Sequence, residues 1–217
     1  MKKPFLLACL AIFLCCTSCS NDDDTTVVED DGGIYALKVG NSWVYHHFER
    51  ENPQSEVFND VSVIDSVNIV GTEEINGNVF FKFRRRTSGN ESNIAFCSPN
   101  GEHFEYLRDS LGYLINDSGK VQFAPVGDTT EHILQMYTND RLIFQRSDAS
   151  EMINTPAGDF DCYYMNLYTR TNAEDERSIG TSKYYRMDGV GEVFTTSSWA
   201  SRPLHTIEKR LISYELQ

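Results

Sequence analysis

Five histidines, an Arg84-Arg85-Arg86 run and 32 acidic side chains are the groups of this 217-residue chain best suited to bind or transform a ligand. Histidine acts at neutral pH as a base or a metal ligand. His46 and His47 are adjacent, however, and on a strand neighbours point to opposite faces, so the pair cannot easily share a metal. Glu102-His103 and Glu131-His132 have the same weakness and lack a third ligand at useful spacing. A glycosidase needs two carboxyl groups facing each other across a cleft. Asp159 and Asp161 share a strand face, but they follow a turn and are expected to face solvent. Arg84 and Arg86 also share a face. They are expected to pair with acids such as Glu73 or Asp65, with anion binding as the sharper alternative. In the pairs Tyr163-Tyr164 and Tyr184-Tyr185 one ring of each faces outward, which nominates Tyr163 and Tyr185, with Arg84 and Arg86, as ligand contacts. The chain has no GxSxG, HExxH, Walker A loop or GxGxxG, so no catalytic, cofactor-binding or metal-binding residues are assigned.

The elements that would carry these residues read as strands. Trp43, Tyr45 and His47 alternate along one face, Val61, Val63, Val67 and Ile69 mark a second run, and Phe160, Cys162, Tyr164 and Asn166 a third. Asn76-Gly77 predicts a type I′ hairpin, because both turn positions need positive φ. Pro156-Ala157-Gly158 predicts a three-residue hairpin loop with a bulge. Only EHILQMYTNDRL (131–142) could form a short helix. The fold class is therefore all-β or β-dominated, with at most one or two short helices. Counting back from Asn76-Gly77 pairs Thr72 with Phe81 and Val70 with Phe83, which sets Val67 and Ile69 on the face of Arg84 and Arg86. A bulge or bend between residues 70 and 74, for which Gly71 is the natural place, would resolve that conflict.

The amino terminus addresses location. Lys2 and Lys3 precede an apolar run from Phe5 to Cys16. That run is shorter than the ~20 residues a membrane span needs, and it reads as a signal-peptide core. The following Cys16-Thr17-Ser18-Cys19 resembles a bacterial lipobox, and the resemblance implies that Cys19 becomes the acylated amino terminus. Two acyl chains anchor durably where one does not. Ser20-Asn21-Asp22-Asp23-Asp24 resembles the acidic tract that marks surface export in Bacteroidota lipoproteins. A solvated spacer is the plainer reading of the same run, with a periplasm-facing location as the alternative. The domains are then a signal peptide over 1–18, a lipidated cysteine and acidic flexible tether over 19–33, and one β-rich domain over 34–217.

Removing Lys2 and Lys3 takes the formal charge from −13 to −15, with six acidic residues in the tether. A surface this acidic repels phosphate backbones and anionic headgroups, so nucleic acid is excluded as a partner and membrane contact falls to the acyl chains on Cys19. Of six cysteines, only Cys97 and Cys162 remain in the domain. Outside the cytosol two thiols can pair, and buried cysteine equally serves as a small hydrophobe; both readings stay open.

LKVGNSWVY (37–45), TPAGDFDCYYM (155–165), YYRMDGVGEVF (184–194) and RLISYEL (210–216) together resemble a poorly characterised group of bacterial secreted proteins and lipoproteins of unknown function, the TapB-like group. The resemblance implies a curved antiparallel sheet, distantly similar to the half-barrel of lipoprotein-carrier domains, and no reaction. The expected function is a non-catalytic lipoprotein anchored in the outer membrane and displayed at the cell surface, with a binding or envelope-structural role. A carrier of lipid or another apolar ligand is the first alternative, requiring an apolar cavity. A glycan hydrolase is the second, requiring two convergent carboxyl groups, one with a raised pKa.

Overall fold

The computed structural model describes residues 33–217. The expected signal peptide, the lipobox with Cys19 and all of the expected acidic tether except Gly33 lie outside the described residues. Twelve antiparallel strands form one sheet: β1 Ser42–Arg50, β2 Phe58–Ile75, β3 Asn78–Ser88, β4 Gly101–Ser110, β5 Tyr113–Asn116, β6 Val121–Phe123, β7 Glu131–Met136, β8 Asp140–Thr155, β9 Gly158–Thr171, β10 Ser182–Met187, β11 Gly191–Ser197 and β12 Ile207–Glu215. The single helical element among the described residues is a 3₁₀ turn at Gly33–Tyr35. Strand order is β6-β5-β4-β3-β2-β1-β12-β11-β10-β9-β8-β7. The chain thus meanders outward from β1, crosses once between the two edges, and meanders back to pair β12 with β1. The expected curved sheet is present, and it curls to a nearly closed barrel.

Side chains close the seam between edge strands β6 and β7. Asp128, on the connection between them, accepts the Tyr113 hydroxyl at 2.8 Å and meets His132 Nε2 at 3.2 Å. Arg146 donates to the Ala124 carbonyl and lies over the rings of Phe123 and Tyr163, 5.1 and 4.6 Å from their centroids.

Local signals account for the hairpins. Asn76 and Gly77 have φ of +52° and +75°, the paired left-handed values of a type I′ turn. The β8–β9 hairpin differs from expectation. Thr155 pairs with Gly158, so the loop is the two residues Pro156-Ala157, and Gly158 at φ +137° is outside the left-handed helical region a bulged loop needs. Thr155 Oγ1 accepts the Ala157 N–H at 3.2 Å, which tightens the turn. Residues 131–142 are not a helix but β7, a turn and the start of β8, with His132 opposite Phe144. A helix this short is marginal alone, and docking on β8 supplies backbone partners that outweigh it.

The expected irregularity in β2 is real. Register with β3 shifts between Ile69 and Gly71, leaving Val70 as the extra residue, immediately before the anticipated Gly71. Beyond it Ile69 pairs with Phe83 and Val67 with Arg85. Two buried clusters result. One gathers Trp43, Tyr45, Ile69, Cys162, Tyr185 and Leu211. The other gathers Tyr35, Leu107, Leu114, Phe123, Phe144 and Met165.

Candidate functional site

The barrel interior is not filled. A cavity of about 280 Å³ lies between the walls, with an apolar floor of Leu107, Phe144 and Leu167 and a polar wall of Arg85, Glu105, Arg186, Glu192 and Lys209. Bulges and alternation place these groups. The Val70 bulge turns Arg85 to the face of Val67 and Phe83. Val193 is the extra residue where β11 slips against β10, so Glu192 sits directly opposite Arg186 and shares its face.

Glu192 is the hub of the charged wall. It pairs with Lys209 and, at 3.5 Å, with Arg186. Burial would raise its carboxyl, but Lys209 and Arg186, with Arg85 behind them, hold it down at about 2. Lys209 also lies 4.9 Å from the Tyr45 ring centroid, and the Tyr45 hydroxyl donates to the Glu192 carbonyl at 2.9 Å. Arg85 donates to Ser98 Oγ at 3.2 Å and stands 4.0 Å from Glu105, while its buried Nε finds no partner among the described residues. The Thr195 hydroxyl is likewise buried and without a partner on the same wall, in a residue only 6% exposed. At the mouth the rings of Phe96 and Trp199 meet at 4.6 Å, both substantially exposed.

A second constellation borders this cavity. His47, on the inner face of β1, is 3% exposed. Its Nε2 lies 3.0 Å from Asp65 Oδ2, and its Nδ1 lies 3.4 Å from the Cys97 sulfur. The other Asp65 oxygen accepts the Thr87 hydroxyl at 2.5 Å. Burial works against the Asp65 charge, yet the His47 hydrogen bond, Lys209 and Thr87 bring its carboxyl down to about 2. The Cys97 thiol is pushed up to about 11 by burial, then by Asp65 and Glu49. Among the described residues no group of three or more His, Cys, Asp or Glu side chains could hold a metal ion.

The residues singled out in the sequence are distributed differently. Arg84 and Arg86 do share a face, but it is the outer one: Arg84 donates to Asn68 at 3.2 Å and Arg86 is exposed. The acids expected to pair with them are engaged elsewhere, Glu73 with Lys82 and Asp65 with His47. Tyr163 is half-buried beside Arg146. Tyr185 is not a surface ring. It is 4% exposed, packed against Tyr164 and Phe194, with its hydroxyl donating to Glu151 at 2.7 Å. Alternation correctly turns it out of the lumen, but β8 lies over that outer face and covers it. Tyr184 is the ring that lines the cavity. Cys97 and Cys162 are separate free thiols, the first beside His47 and the second in the apolar core. Asp159 and Asp161 face solvent, and His46 points outward to Asp60 at 3.1 Å.

Sequence reasoning missed Arg85, Glu192, Thr195 and Lys209. Period-two alternation applied to Val67 and Phe83 would have found Arg85 once the Val70 slip was included. No local pattern marks the other three.

No family model and no curated protein matches the chain. Two solved structures are similar over most of its length. A candidate lipoprotein from Parabacteroides distasonis is 14% identical with a TM-score of 0.48, covering 84% of this chain and 98% of its own. A candidate exported protein with a YmcC-like fold from Bacteroides fragilis is 11% identical with a TM-score of 0.48, covering 83% and 98%.

Proposed function

We propose that this chain is a lipid-anchored envelope protein whose barrel lumen binds a small, polar ligand rich in hydrogen-bond acceptors. The observation that carries the reading is the charged and hydrogen-bonding lining of the cavity, formed by Arg85, Glu105, Arg186, Glu192, Thr195 and Lys209. Charged side chains around a cavity form their strongest hydrogen bonds with a polar ligand that replaces the water there. The volume is near the low end of the ~300–1,000 Å³ usual for ligand pockets, which suits a molecule of sugar size. The Phe96–Trp199 pair offers ring faces on which a sugar can stack at the mouth.

The apolar-carrier alternative meets a cavity of nearly the required volume but of the wrong lining. Seating a hydrocarbon against Glu192, Lys209 and Arg186 would strip their hydration without replacement. The hydrolase alternative calls for a carboxyl held neutral, whereas Asp65 and Glu192 are both held low. The anchor rests on Lys2, Lys3, the apolar run and Cys19, and surface display rests on the acidic tract after Cys19.

Thermal unfolding with added glucose or glucuronate, and native mass spectrometry of protein purified from envelopes, test the lumen. A retained small molecule or a raised midpoint, both lost in Thr195→Val and Arg85→Met, is the expected result. No retained mass and no shift with either sugar would refute it. For the anchor, Cys19→Ala should lose palmitate labelling and membrane fractionation. Equal behaviour of the variant and its parent would end the lipoprotein reading. Proteinase added to intact cells should degrade the domain if it is displayed, and full protection would place it on the periplasmic side.

A further inference from the structure

We propose that Cys97, His47 and Asp65 form a nucleophilic triad that takes an acyl group from an ester or thioester entering the lumen. The arrangement is that of an activated nucleophile: sulfur within reach of a base, and the base oriented by a third group. Nε2–H of His47 donates to Asp65 at 3.0 Å, which leaves the Nδ1 lone pair directed at the Cys97 sulfur 3.4 Å away. Asp65 cannot swing off this line, because its second oxygen is held by Thr87. The three residues come from β1, β2 and the loop after β3. His47, Asp65 and both neighbours of Cys97, Phe96 and Ser98, line the cavity. The inference therefore rests on the lumen being where substrate enters.

The chemistry balances without a cofactor. Burial keeps the resting sulfur as a thiol. As sulfur attacks the acyl carbon, the thiol proton passes to His47 Nδ1, and the imidazolium is stabilised by ionised Asp65. The bond to the leaving oxygen or sulfur breaks, and His47 returns the proton to that alcohol or thiol, leaving a thioester on Cys97. Water then attacks the thioester, its proton again taken by His47 and handed to the departing sulfur, which frees the acid and restores the thiol. Arg85, tied to Ser98 beside the nucleophile, supplies positive charge near the developing oxyanion.

The test uses p-nitrophenyl acetate on the whole protein, with acetylation read at Cys97 and Cys162 by peptide mass spectrometry. Acetyl should appear on Cys97, with Cys162 in the apolar core as an internal control. His47→Gln should slow Cys97 acetylation by about a hundredfold, the usual scale for a general base. The parent's rate should level off once imidazole is neutral. A thiol reacting without His47 would keep accelerating toward the Cys97 value of about 11. Asp65, Glu49 and Lys209 are the charged groups that surround the pair. Equal rates in the parent and His47→Gln, or a rate that climbs without a plateau, would overturn the proposal. If His47→Gln does not fold, the parent's pH profile decides alone. Glucuronate binding to Cys97→Ser separates the two readings: binding retained while the parent fails to acetylate removes the triad and leaves the lumen site standing.

Discussion

Replacing Glu192 by Gln keeps its shape but removes the charge between Lys209 and Arg186 and turns one of its two acceptor oxygens into an amide donor. A glutamate that ordinarily titrates near 4.5 is held at about 2 in the folded chain. That difference corresponds to roughly 3 kcal/mol of folding free energy at neutral pH, an upper figure because the cavity opens to solvent. Because the folded value is depressed, the contribution is complete above about pH 4.5 and is lost as pH falls through about 2. About 2 kcal/mol of it should be gone by pH 3. Urea unfolding of the parent and Glu192→Gln at pH 7 and pH 3 measures both ends. The variant should be less stable by up to about 3 kcal/mol at pH 7, and the gap should shrink to roughly 1 kcal/mol at pH 3. Equal midpoints at pH 7, or a gap that does not narrow on acidification, would show that the lumen charges do not hold Glu192 as described.

Three other substitutions probe the scaffold around the lumen. Gly89→Ala adds a Cβ that collides with the Ser62 carbonyl at a backbone φ of +84°. It should lower the melting temperature by several degrees, corresponding to more than about 1 kcal/mol, and an unchanged transition would contradict the close approach of those strands. Trp43→Phe removes the indole hydrogen bond to the Val190 carbonyl at 2.8 Å while keeping a ring against Phe83. A loss of about 1–3 kcal/mol in denaturant unfolding is expected, and none would mean that Val190 finds another donor. Tyr185→Phe cuts the link to Glu151, so amide exchange over 147–155 should quicken; identical protection would show that β8 is held there by other contacts.

The strands and their hairpins were legible because their causes are local. Asn76-Gly77 accepts positive φ where other residues resist it, and Trp43, Tyr45 and His47 alternate with period two whatever surrounds them. Even the irregularity near Gly71 could be read, since a face conflict between Val67 and the arginine run demanded one. The site was harder to see for the same reason in reverse. A one-residue slip exchanges the two faces of a strand, so Arg84 and Arg86, nominated as ligand contacts, lie on the outer face and Arg85 lies within. Tyr185 was read as an outward, exposed ring, and it is buried, because nothing local reveals that Glu151 of β8 reaches across it.

By itself, then, the sequence determined most of the strands, the Asn76-Gly77 turn and the facing of neighbours along a strand, all set by backbone sterics and side-chain alternation within a few residues, while β7 read as a short helix and the loop at Pro156-Ala157 as one residue longer. Only the tertiary structure decided that the sheet curls to near closure, that its interior holds charge, and that Cys97 lies beside His47, 50 positions earlier in the chain. Such meetings depend on register summed over several bulged strands, a quantity no short stretch of chain contains.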